Sequence, residues 1–364
     1  MMKINKKDRF LGCFLGGAVG DALGYPVEFL SEGQIWRYYG EQGIRDLQQA
    51  GNPALITDDT QMTLFNMNGL LYAQTNGAEV FPSVWLAHRE WLGTQGDRRR
   101  MDNPREPKMW LYEQDVLHAR RAPGVSCMTA IQGSKYGGTI EDPVNNSKGC
   151  GSIMKAAPFG LFLKYDPAVS PEEYMQSVYD LSALLSAQTH GHPLGYFSGA
   201  YLALLLARIV HLEPGKFDRL EDAISGITMG DSAWEQELLM GVKRAVELAL
   251  DPSVPDLDGI HALGEGWVAE EALYISVFCA VRYQKDFEAA IRCAVNHEGD
   301  SDSTGAICGN ILGAWLGVQE VEDSFALCCV DAADLVREMA EDFYLAVECG
   351  IPEDDEAWNA KYRR

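Results

Sequence analysis

Two segments of the sequence carry a glycine at every fourth position: FLGCFLGGAVGDALG (residues 10–24) and TGAICGNILGAWLG (residues 304–317). Positions four apart lie on one face of an α-helix, so each segment would form a helix with a ridge almost bare of side chains. Glycine inside a helix costs about 1 kcal/mol relative to alanine. A row of four is therefore expected only where another backbone packs closely against it. The polar flanks exclude a membrane dimer, and we predict two central helices that cross closely in the core.

Helical periodicity dominates the rest of the chain, and few stretches alternate with the period of two that is typical of strands. The periodic segments are 8–24, 58–75, 82–93, 125–135, 151–164, 171–189, 193–212, 231–250, 266–283, 286–297, 303–318 and 331–348. The predicted fold class is therefore all-α, with residues 1–364 forming one compact domain. Residues 94–124 are the least regular part. We expect them to be an insert at a substrate or partner rim.

The composition restricts the possible partners. The 364 residues include 30 basic and 53 acidic side chains, and the net charge is −23. A surface this negative repels nucleic acid and anionic lipid, so neither is expected as a partner. An anionic substrate would need metal ions or helix N-termini to offset the negative field.

The cysteines and the N-terminus indicate a cytoplasmic protein. The nine cysteines form no CxxC pair, and several lie in apolar helical stretches, which is typical of reduced, buried thiols. The basic N-terminus is followed by an apolar run that Asp21 interrupts. That run is too short and too rich in glycine for a signal peptide or a membrane span. No other stretch is expected to approach a membrane span.

Two short acidic clusters, far apart in the chain, indicate the chemistry: Thr57-Asp58-Asp59-Thr60 and Asp300-Ser301-Asp302-Ser303-Thr304. Carboxylates this close raise one another's pKa unless a cation lies between them. All the side-chain ligands are oxygen atoms, which suit Mg²⁺, Mn²⁺ or Ca²⁺ rather than zinc. If the clusters converge in space, they would form a carboxylate-bridged site for one or two divalent cations.

Each cluster also has a simpler interpretation as the start of a helix. Thr57 or Asp58 could be an N-cap, with Gln61 at capping-box spacing, although capping alone does not explain Asp59. The second cluster could be a helix cap in a polar loop. It also resembles the opening of an EF-hand, but Ile311 stands where the final glutamate is required.

Two further motifs are candidates for ligand binding. Residues 145–152 include two glycines and lead into an apolar helix. Such a loop can bind phosphate through backbone N–H groups, although an ordinary loop is the alternative. His190 and His192 separate two helices, and no third ligand for zinc lies nearby in the sequence. His190 therefore either bonds to the end of a helix or contacts a ligand.

Taken together, these motifs resemble those of the ADP-ribosylglycohydrolase family, and they occur in the family's order over most of the chain. They are Gly20-Asp21-Ala22-Leu23-Gly24 with Pro26-Val27-Glu28, Thr57-Asp58-Asp59-Thr60, Lys148-Gly149-Cys150-Gly151-Ser152-Ile153-Met154, Thr189-His190 and Gly299-Asp300-Ser301-Asp302-Ser303-Thr304-Gly305. The combination is specific, although no single motif is. The all-α fold of the family agrees with the periodicity.

The resemblance implies a metal-dependent hydrolase that removes ADP-ribose from modified protein side chains, with arginine as the expected acceptor and serine or an O-acyl ester as the alternatives. It implies two Mg²⁺ or Mn²⁺ ions held by Thr57, Asp58, Asp59, Asp300, Asp302 and Ser303. The diphosphate would be held by Gly149, Cys150, Gly151 and Ser152, with His190 beside it. Glu28 would lie on a mobile segment over the ribose. The residues implied to transfer protons are Glu28, Asp59 and Asp302.

The same resemblance allows a second function, which is binding with or without catalysis. Some relatives serve as structural lens proteins and others as immunity proteins against ADP-ribosylating toxins. The partner would then be an ADP-ribosyltransferase toxin or another protein, and this role could coexist with catalysis on an ADP-ribosylated protein. The intact metal ligands argue against a purely inert binder.

Overall fold

The structure is a computed structural model that describes residues 4–364. Within this range it contains eighteen α-helices and no β-strand, so the all-α prediction is confirmed. The first nine helices are α1 (Lys6–Gly24), α2 (Glu32–Tyr39), α3 (Leu47–Ala50), α4 (Asp58–Asn76), α5 (Val80–Thr94), α6 (Val125–Gly133), α7 (Ala157–Phe162), α8 (Pro171–Ala187) and α9 (Pro193–Ala207). The other nine are α10 (Leu220–Ser225), α11 (Ala233–Leu250), α12 (Asp256–His261), α13 (Ala269–Arg282), α14 (Phe287–Val295), α15 (Ser301–Leu316), α16 (Val318–Ser324), α17 (Ala333–Tyr344) and α18 (Glu356–Tyr362).

One predicted helix is wrong, and several short ones escape prediction. The segment 151–164 is not a continuous helix but a 3₁₀ turn, Cys150–Ser152, followed by the short α7. Pro158 lies in the first turn of α7, where proline is tolerated, whereas it would break a helix that began near residue 151. The helices α2, α10, α12 and α18 have only six to eight residues each, which is too short for a clear periodic pattern.

The two glycine ridges face each other, and the predicted close contact is confirmed. The helices α1 and α15 run antiparallel, and a methyl group added to a ridge glycine within either helix would overlap backbone atoms of the other helix. The paired positions are Gly12 with Gly313, Gly16 with Gly309, Gly20 with Gly305, and Gly24 with Ser301. This register brings the C-terminal end of α1 beside the first turn of α15.

The helix α1 lies at the centre of the molecule. Residues 9–24 are all buried, with α14, α16 and α17 packed around α1 in addition to α15. Arg9, a buried charge near the start of α1, donates hydrogen bonds to the carbonyl oxygens of Ala314 (2.8 Å) and Trp315 (3.1 Å). These carbonyls belong to the last turn of α15, where they have no partner within the helix. This end of the helix pair is therefore held by hydrogen bonds as well as by the glycine contact.

A second apolar helix is long enough to be mistaken for a membrane span. The segment Pro193–Leu212 meets the criteria of length and composition for crossing a membrane, so the expectation that no other stretch approaches a span was wrong. However, 83% of its apolar window is buried inside the protein. It packs against α7, α8, α11 and α13, as a core helix does.

Residues 94–124 contain only two short 3₁₀ turns, Trp110–Glu113 and Asp115–Leu117, but they are fixed to the helices. The carboxylate of Glu90 in α5 accepts hydrogen bonds from the backbone N–H groups of Lys108 and Met109, both at 2.8 Å. The side chain of Gln61 in α4 donates to the carbonyl oxygen of Ala119 (3.0 Å). The insert is therefore tied to the same helix that carries the first acidic cluster.

We predict that Gly313→Leu severely destabilises the protein although Gly313 is in neither acidic cluster. The new side chain would overlap the backbone of Gly12 and force α1 away from α15. Overpacking of this kind costs about 1–3 kcal/mol or more, and the gain in helix propensity offsets only about 1 kcal/mol. Chemical denaturation gives the change in the free energy of unfolding.

Gly33→Leu is the matched control, because Gly33 is an exposed helical glycine with no atom within 4 Å of an added methyl group. This variant should be as stable as the parent or slightly more stable. If Gly313→Leu melted at the parent's temperature, the close contact between the ridges would be disproved.

Candidate active site

Thr57 begins α4 as its N-cap. Its backbone is extended (φ −104°) and its hydroxyl accepts a hydrogen bond from the N–H of Asp59 (3.3 Å). Asp58 and Asp59 therefore lie in the first turn, where the helix dipole stabilises negative charge. Gln61 forms no capping box, since its side chain binds Ala119 instead. The prediction of a helix cap is therefore confirmed for Thr57. Capping does not explain why two aspartates, Asp58 and Asp59, follow it.

Asp21 of α1 holds this first turn in place. Its carboxylate is fully buried and accepts hydrogen bonds from the N–H of Thr57 (3.0 Å) and the N–H of Thr60 (3.1 Å). It also accepts from both threonine hydroxyls. This role of Asp21 was not predicted from the sequence. The available signal was a carboxylate inside an otherwise apolar, glycine-spaced helix.

The second cluster is placed by a tight turn at Gly299. This residue has φ +136°, and a methyl group there would overlap the carbonyl oxygen of Glu265, so only glycine fits. The same carbonyl accepts the N–H of Asp300 (2.9 Å). Asp300 then caps α15, and Asp302 and Ser303 lie in its first turn.

The two clusters and Glu28 come together at the ends of α1, α4 and α15. One carboxylate oxygen from each of Glu28, Asp300 and Asp302 lies within 4.8 Å of the others. The buried carboxylates of the site are Asp21, Glu28, Asp58, Asp59, Asp300 and Asp302. Among residues 4–364, no Lys, Arg or His side chain forms an ion pair with any of them. The site is a concentration of negative charge that the described protein does not neutralise.

Burial raises the pKa of these carboxyl groups, and their mutual repulsion raises it further. The pKa of Asp21 rises to about 7 and that of Glu28 to about 10, in both cases through burial first and the charge of Asp302 second. Burial and the charge of Asp302 also raise the pKa of Asp58, Asp59 and Asp300 well above the ordinary value. Such a group keeps its charge only when cations bind to it.

The donor atoms fit a divalent cation. Glu28 Oε2 and Asp59 Oδ2 are buried without a hydrogen-bond partner, and a buried polar atom left unpaired is costly. The Thr57 hydroxyl donates its proton to Asp21 (2.8 Å), which leaves a lone pair for another ligand. An all-oxygen set of carboxylates and hydroxyls suits a hard cation such as Mg²⁺ or Mn²⁺.

Glu28 lies closer to the predicted metal ligands than expected for a residue on a mobile segment over the ribose. Its side chain is buried, and its carboxylate faces Asp300 and Asp302. The next residue, Phe29, is exposed and stacks on Trp267 with ring centroids 5.7 Å apart. Glu28 is therefore a candidate metal ligand as well as a candidate proton-transfer group.

The glycine loop, residues 149–152, lies beside the acidic cluster. Cys150 faces Asp300, and its N–H donates to the carbonyl oxygen of Trp267 (3.2 Å). The hydroxyl of Ser152 donates to the carbonyl of Gly149 (3.2 Å), so it shapes the loop. The ring of His190 packs against the loop, with Cε1 3.1 Å from where a methyl group on Gly151 would lie. The predicted diphosphate residues thus share one region with the predicted metal ligands.

The end of the insert contributes contacts that sequence reasoning missed. The N–H of Gly124 donates to Asp58 Oδ2 (3.0 Å), and the N–H of Asp58 donates to the carbonyl of Arg121 (3.3 Å). Arg121 in turn pairs with Asp331 (2.7 Å). No spacing or motif links these residues to Asp58, because the contacts are made by backbone groups brought together only by the fold.

Comparisons of the sequence and of the fold relate this chain to known proteins. A family model described as ADP-ribosylglycohydrolase matches residues 2–351. The chain is 27% identical over 322 residues to the ADP-ribosyl-[dinitrogen reductase] glycohydrolase of Rhodospirillum rubrum, covering 86% of this chain and 87% of that protein. It is 24% identical over 353 residues to the ADP-ribosylhydrolase ARH3 of Bos taurus, covering 88% of each. A solved ADP-ribosylglycohydrolase-related protein complex shares the fold, with a TM-score of 0.58 and 22% identity over 94% of this chain and 99% of that chain.

We predict that Asp21→Asn weakens the binding of Mn²⁺ about tenfold or more, as is typical when a residue that orients metal ligands is changed. An amide offers one acceptor oxygen, and its NH₂ group would face the N–H donors of Thr57 and Thr60. The first turn of α4 should therefore shift. Calorimetric titration of the metal measures the change in affinity.

Asp8→Asn makes the same charge change in the first turn of α1, at the other end of that helix, and should leave the affinity for Mn²⁺ unchanged. Equal affinities for the parent and Asp21→Asn would show that Asp21 does not position the ligands.

Proposed function

Because this chain belongs to the ADP-ribosylglycohydrolase family and is a hydrolase of glycosidic bonds, we propose that it removes ADP-ribose from modified arginine side chains of proteins. The observation that carries the proposal is the group of buried carboxylates at Glu28, Asp300 and Asp302, next to a glycine loop at the start of a 3₁₀ turn. The name of the Rhodospirillum rubrum relative describes an enzyme acting on a modified protein, which supports a protein substrate here.

Two Mg²⁺ or Mn²⁺ ions are the proposed cofactors. The proposed ligands are Thr57, Asp58, Asp59, Asp300, Asp302 and Ser303, and the position of Glu28 adds it to the candidates. Bound cations would orient the ribose hydroxyls and make a water molecule more acidic.

The proposed reaction breaks the bond between the anomeric carbon of the ribose and the arginine nitrogen. The sugar gains oxocarbenium character as this bond lengthens, a water molecule adds to the anomeric carbon, and the guanidine leaves with a proton. Glu28 and Asp59 each have a buried carboxylate oxygen without a partner, so they are better placed to move protons than Asp302, whose Oδ1 accepts the N–H of Ser303 (2.9 Å).

The remaining assignments follow from the position of the site. Backbone N–H groups of residues 149–152 and the ring of His190 would hold the diphosphate. The insert 94–124 would form the acceptor rim of a single cytoplasmic domain. The relatives give no support for a toxin partner, and it forms no part of the proposal.

The rim differs in charge from the rest of the surface. Residues 94–124 contain seven Lys or Arg against five Asp or Glu, in a chain with a net charge of −23. Arg98, Arg99 and Arg120 line an open cavity there, beside α6. Attraction of a cationic leaving group must therefore come from the acidic site and the wider surface, and not from this cavity.

We predict that hydrolysis of ADP-ribosylated arginine protein stops when divalent cations are removed by EDTA and returns with Mn²⁺ or Mg²⁺. The physical reason is the all-oxygen donor set, which holds unneutralised charge without a cation. Release of free ADP-ribose is the measurement. Full activity after exhaustive chelation would contradict the metal-dependent mechanism.

Asp302→Asn should lower turnover at least about 100-fold with little loss of stability, since it removes a ligand charge and keeps the side-chain shape. The metal-free variant is expected to melt at or above the parent's temperature, because repulsion with Asp300 and Glu28 is relieved. Asp354→Asn, at an exposed turn, is the matched control. Turnover near the parent's value at saturating metal would remove Asp302 from the site.

We predict faster cleavage of ADP-ribosylarginine than of ADP-ribosylserine, with the preference decreasing at high ionic strength. The negative surface attracts the guanidinium, and salt screens this attraction over about 10 Å at 0.1 M. The ratio of kcat/KM for the two substrates at low and high salt is the measurement. A serine preference, or a ratio independent of salt, would show that shape rather than charge selects the acceptor.

A further inference from the structure

Lys155 is a fully buried cation. Among residues 4–364 it forms no ion pair with a carboxylate. Its Nζ donates instead to the carbonyl oxygen of Gly151 and to Thr189 Oγ1 (2.9 Å), and it lies 3.5 Å from Cys127 Sγ. An ammonium group taken out of water costs several kcal/mol unless its hydrogen bonds compensate. All three of its neighbours act as acceptors, so the ammonium is fully bonded.

The proton positions follow from this arrangement. A lysine ammonium group has only donors, so Thr189 Oγ1 must accept from Lys155. The single hydroxyl proton of Thr189 is then free to be donated, and the acceptor in reach is His190 Nδ1, at 2.9 Å. Burial, and secondarily the charge of Lys155, lower the pKa of His190 well below its ordinary value, so the ring is neutral. A neutral ring that accepts at Nδ1 carries its proton on Nε2.

The Nε2 atom of His190 is directed at the glycine loop. It lies 3.3 Å and 3.5 Å from where methyl groups on Gly151 and Gly149 would be. Its N–H has no hydrogen-bond partner within the described residues. The chain of hydrogen bonds from Lys155 thus ends in one N–H donor that points into the proposed diphosphate region.

Lys155 also controls the orientation of the loop itself. It holds the carbonyl oxygen of Gly151 toward the protein interior, where Cys127 Sγ also approaches that oxygen (3.6 Å). A carbonyl oxygen turned toward a phosphate would repel it. The same lysine therefore turns the carbonyl oxygen of Gly151 away from the ligand region. Through Thr189 it also directs the N–H donor of His190 toward that region.

We propose that Lys155 and Thr189 are positioning residues that fix the Nε2–H tautomer of His190 and so direct one donor at the diphosphate of ADP-ribose. The ligand in this inference rests on the proposed function, whereas the tautomer rests on the hydrogen bonds of Lys155 and Thr189 and on the burial of His190. The two parts can therefore be tested separately.

The first experiment is NMR of the full chain with ¹⁵N-labelled histidine, using His190→Gln to assign the His190 signals. We expect His190 to be neutral, with a proton on Nε2 and the Nδ1 resonance of a hydrogen-bonded acceptor. Thr189→Val, which is nearly isosteric, should move the Nδ1 resonance toward that of a free acceptor, and Thr189→Ser should restore it. A proton on Nδ1 in the parent, or an Nδ1 resonance that is the same in the parent and Thr189→Val, would overturn the relay.

The second experiment is calorimetric titration of ADP-ribose, in the presence of Mg²⁺, into the parent and the two Thr189 variants. Thr189→Val should bind ADP-ribose tenfold or more weakly, since a misdirected donor loses a hydrogen bond to a charged group, and Thr189→Ser should bind as the parent does. If the NMR result holds but Thr189→Val binds as tightly as the parent, the role in ligand positioning is overturned. If the parent itself binds no ADP-ribose, the proposed function fails while the NMR result still decides the relay.

Discussion

The site depends on the close contact between α1 and α15, in which the glycines of each helix lie against backbone carbonyl groups of the other. The missing side chains let the two backbones approach along the whole length of both helices, in a register set by Gly12, Gly16, Gly20 and Gly24. This register places Asp21, near one end of α1, beside the first turn of α15 with Asp302. Asp21 then binds the first turn of α4. The ends of α1, α4 and α15 are far apart in the chain and are brought together by packing. The glycines responsible for this packing are not themselves candidate ligands.

Among residues 4–364, buried groups of opposite charge lie on the two sides of the glycine loop, and neither kind forms an ion pair. On one side, Cys150 faces Asp300 and the other buried carboxylates. On the other side, Gly151 accepts a hydrogen bond from Lys155, which has no acidic partner within the described residues. Buried charges are normally paired directly. The arrangement is complementary to bound cations on one side of the loop and a diphosphate on the other, which are the proposed cofactors and the proposed substrate group.

The parts of this architecture that repeat or cluster in the sequence could be predicted from it. Glycine at every fourth position predicts a close helix contact, because each glycine lowers the stability of a helix and a closely packed neighbour offsets that loss. Clustered aspartates predict bound cations in the same way, because carboxylates this close repel one another unless a cation lies between them. The link from Asp21 to Thr57 and Thr60 could not be predicted, because it joins residues of different helices and follows no local period. The same holds for the N–H of Gly124 on Asp58 and for the direct approach of Glu28 to Asp300. The prediction of a continuous helix over 151–164 was wrong because it rested on the spacing of apolar residues, which does not show that Pro158 prevents a helix from continuing through it.

The pairing of α1 with α15 also sets when the protein can fold during its synthesis. The helix α1 leaves the ribosome first, yet residues 25–300 must be made before its partner begins. At about 5–20 residues per second this takes on the order of 15–60 s. Throughout that time the glycine ridge of a helix whose residues 9–24 are all buried in the finished protein lacks the partner helix that covers it. We expect α1 to need protection in the nascent chain, and the carboxylates that depend on it to gather only in the last stage of folding.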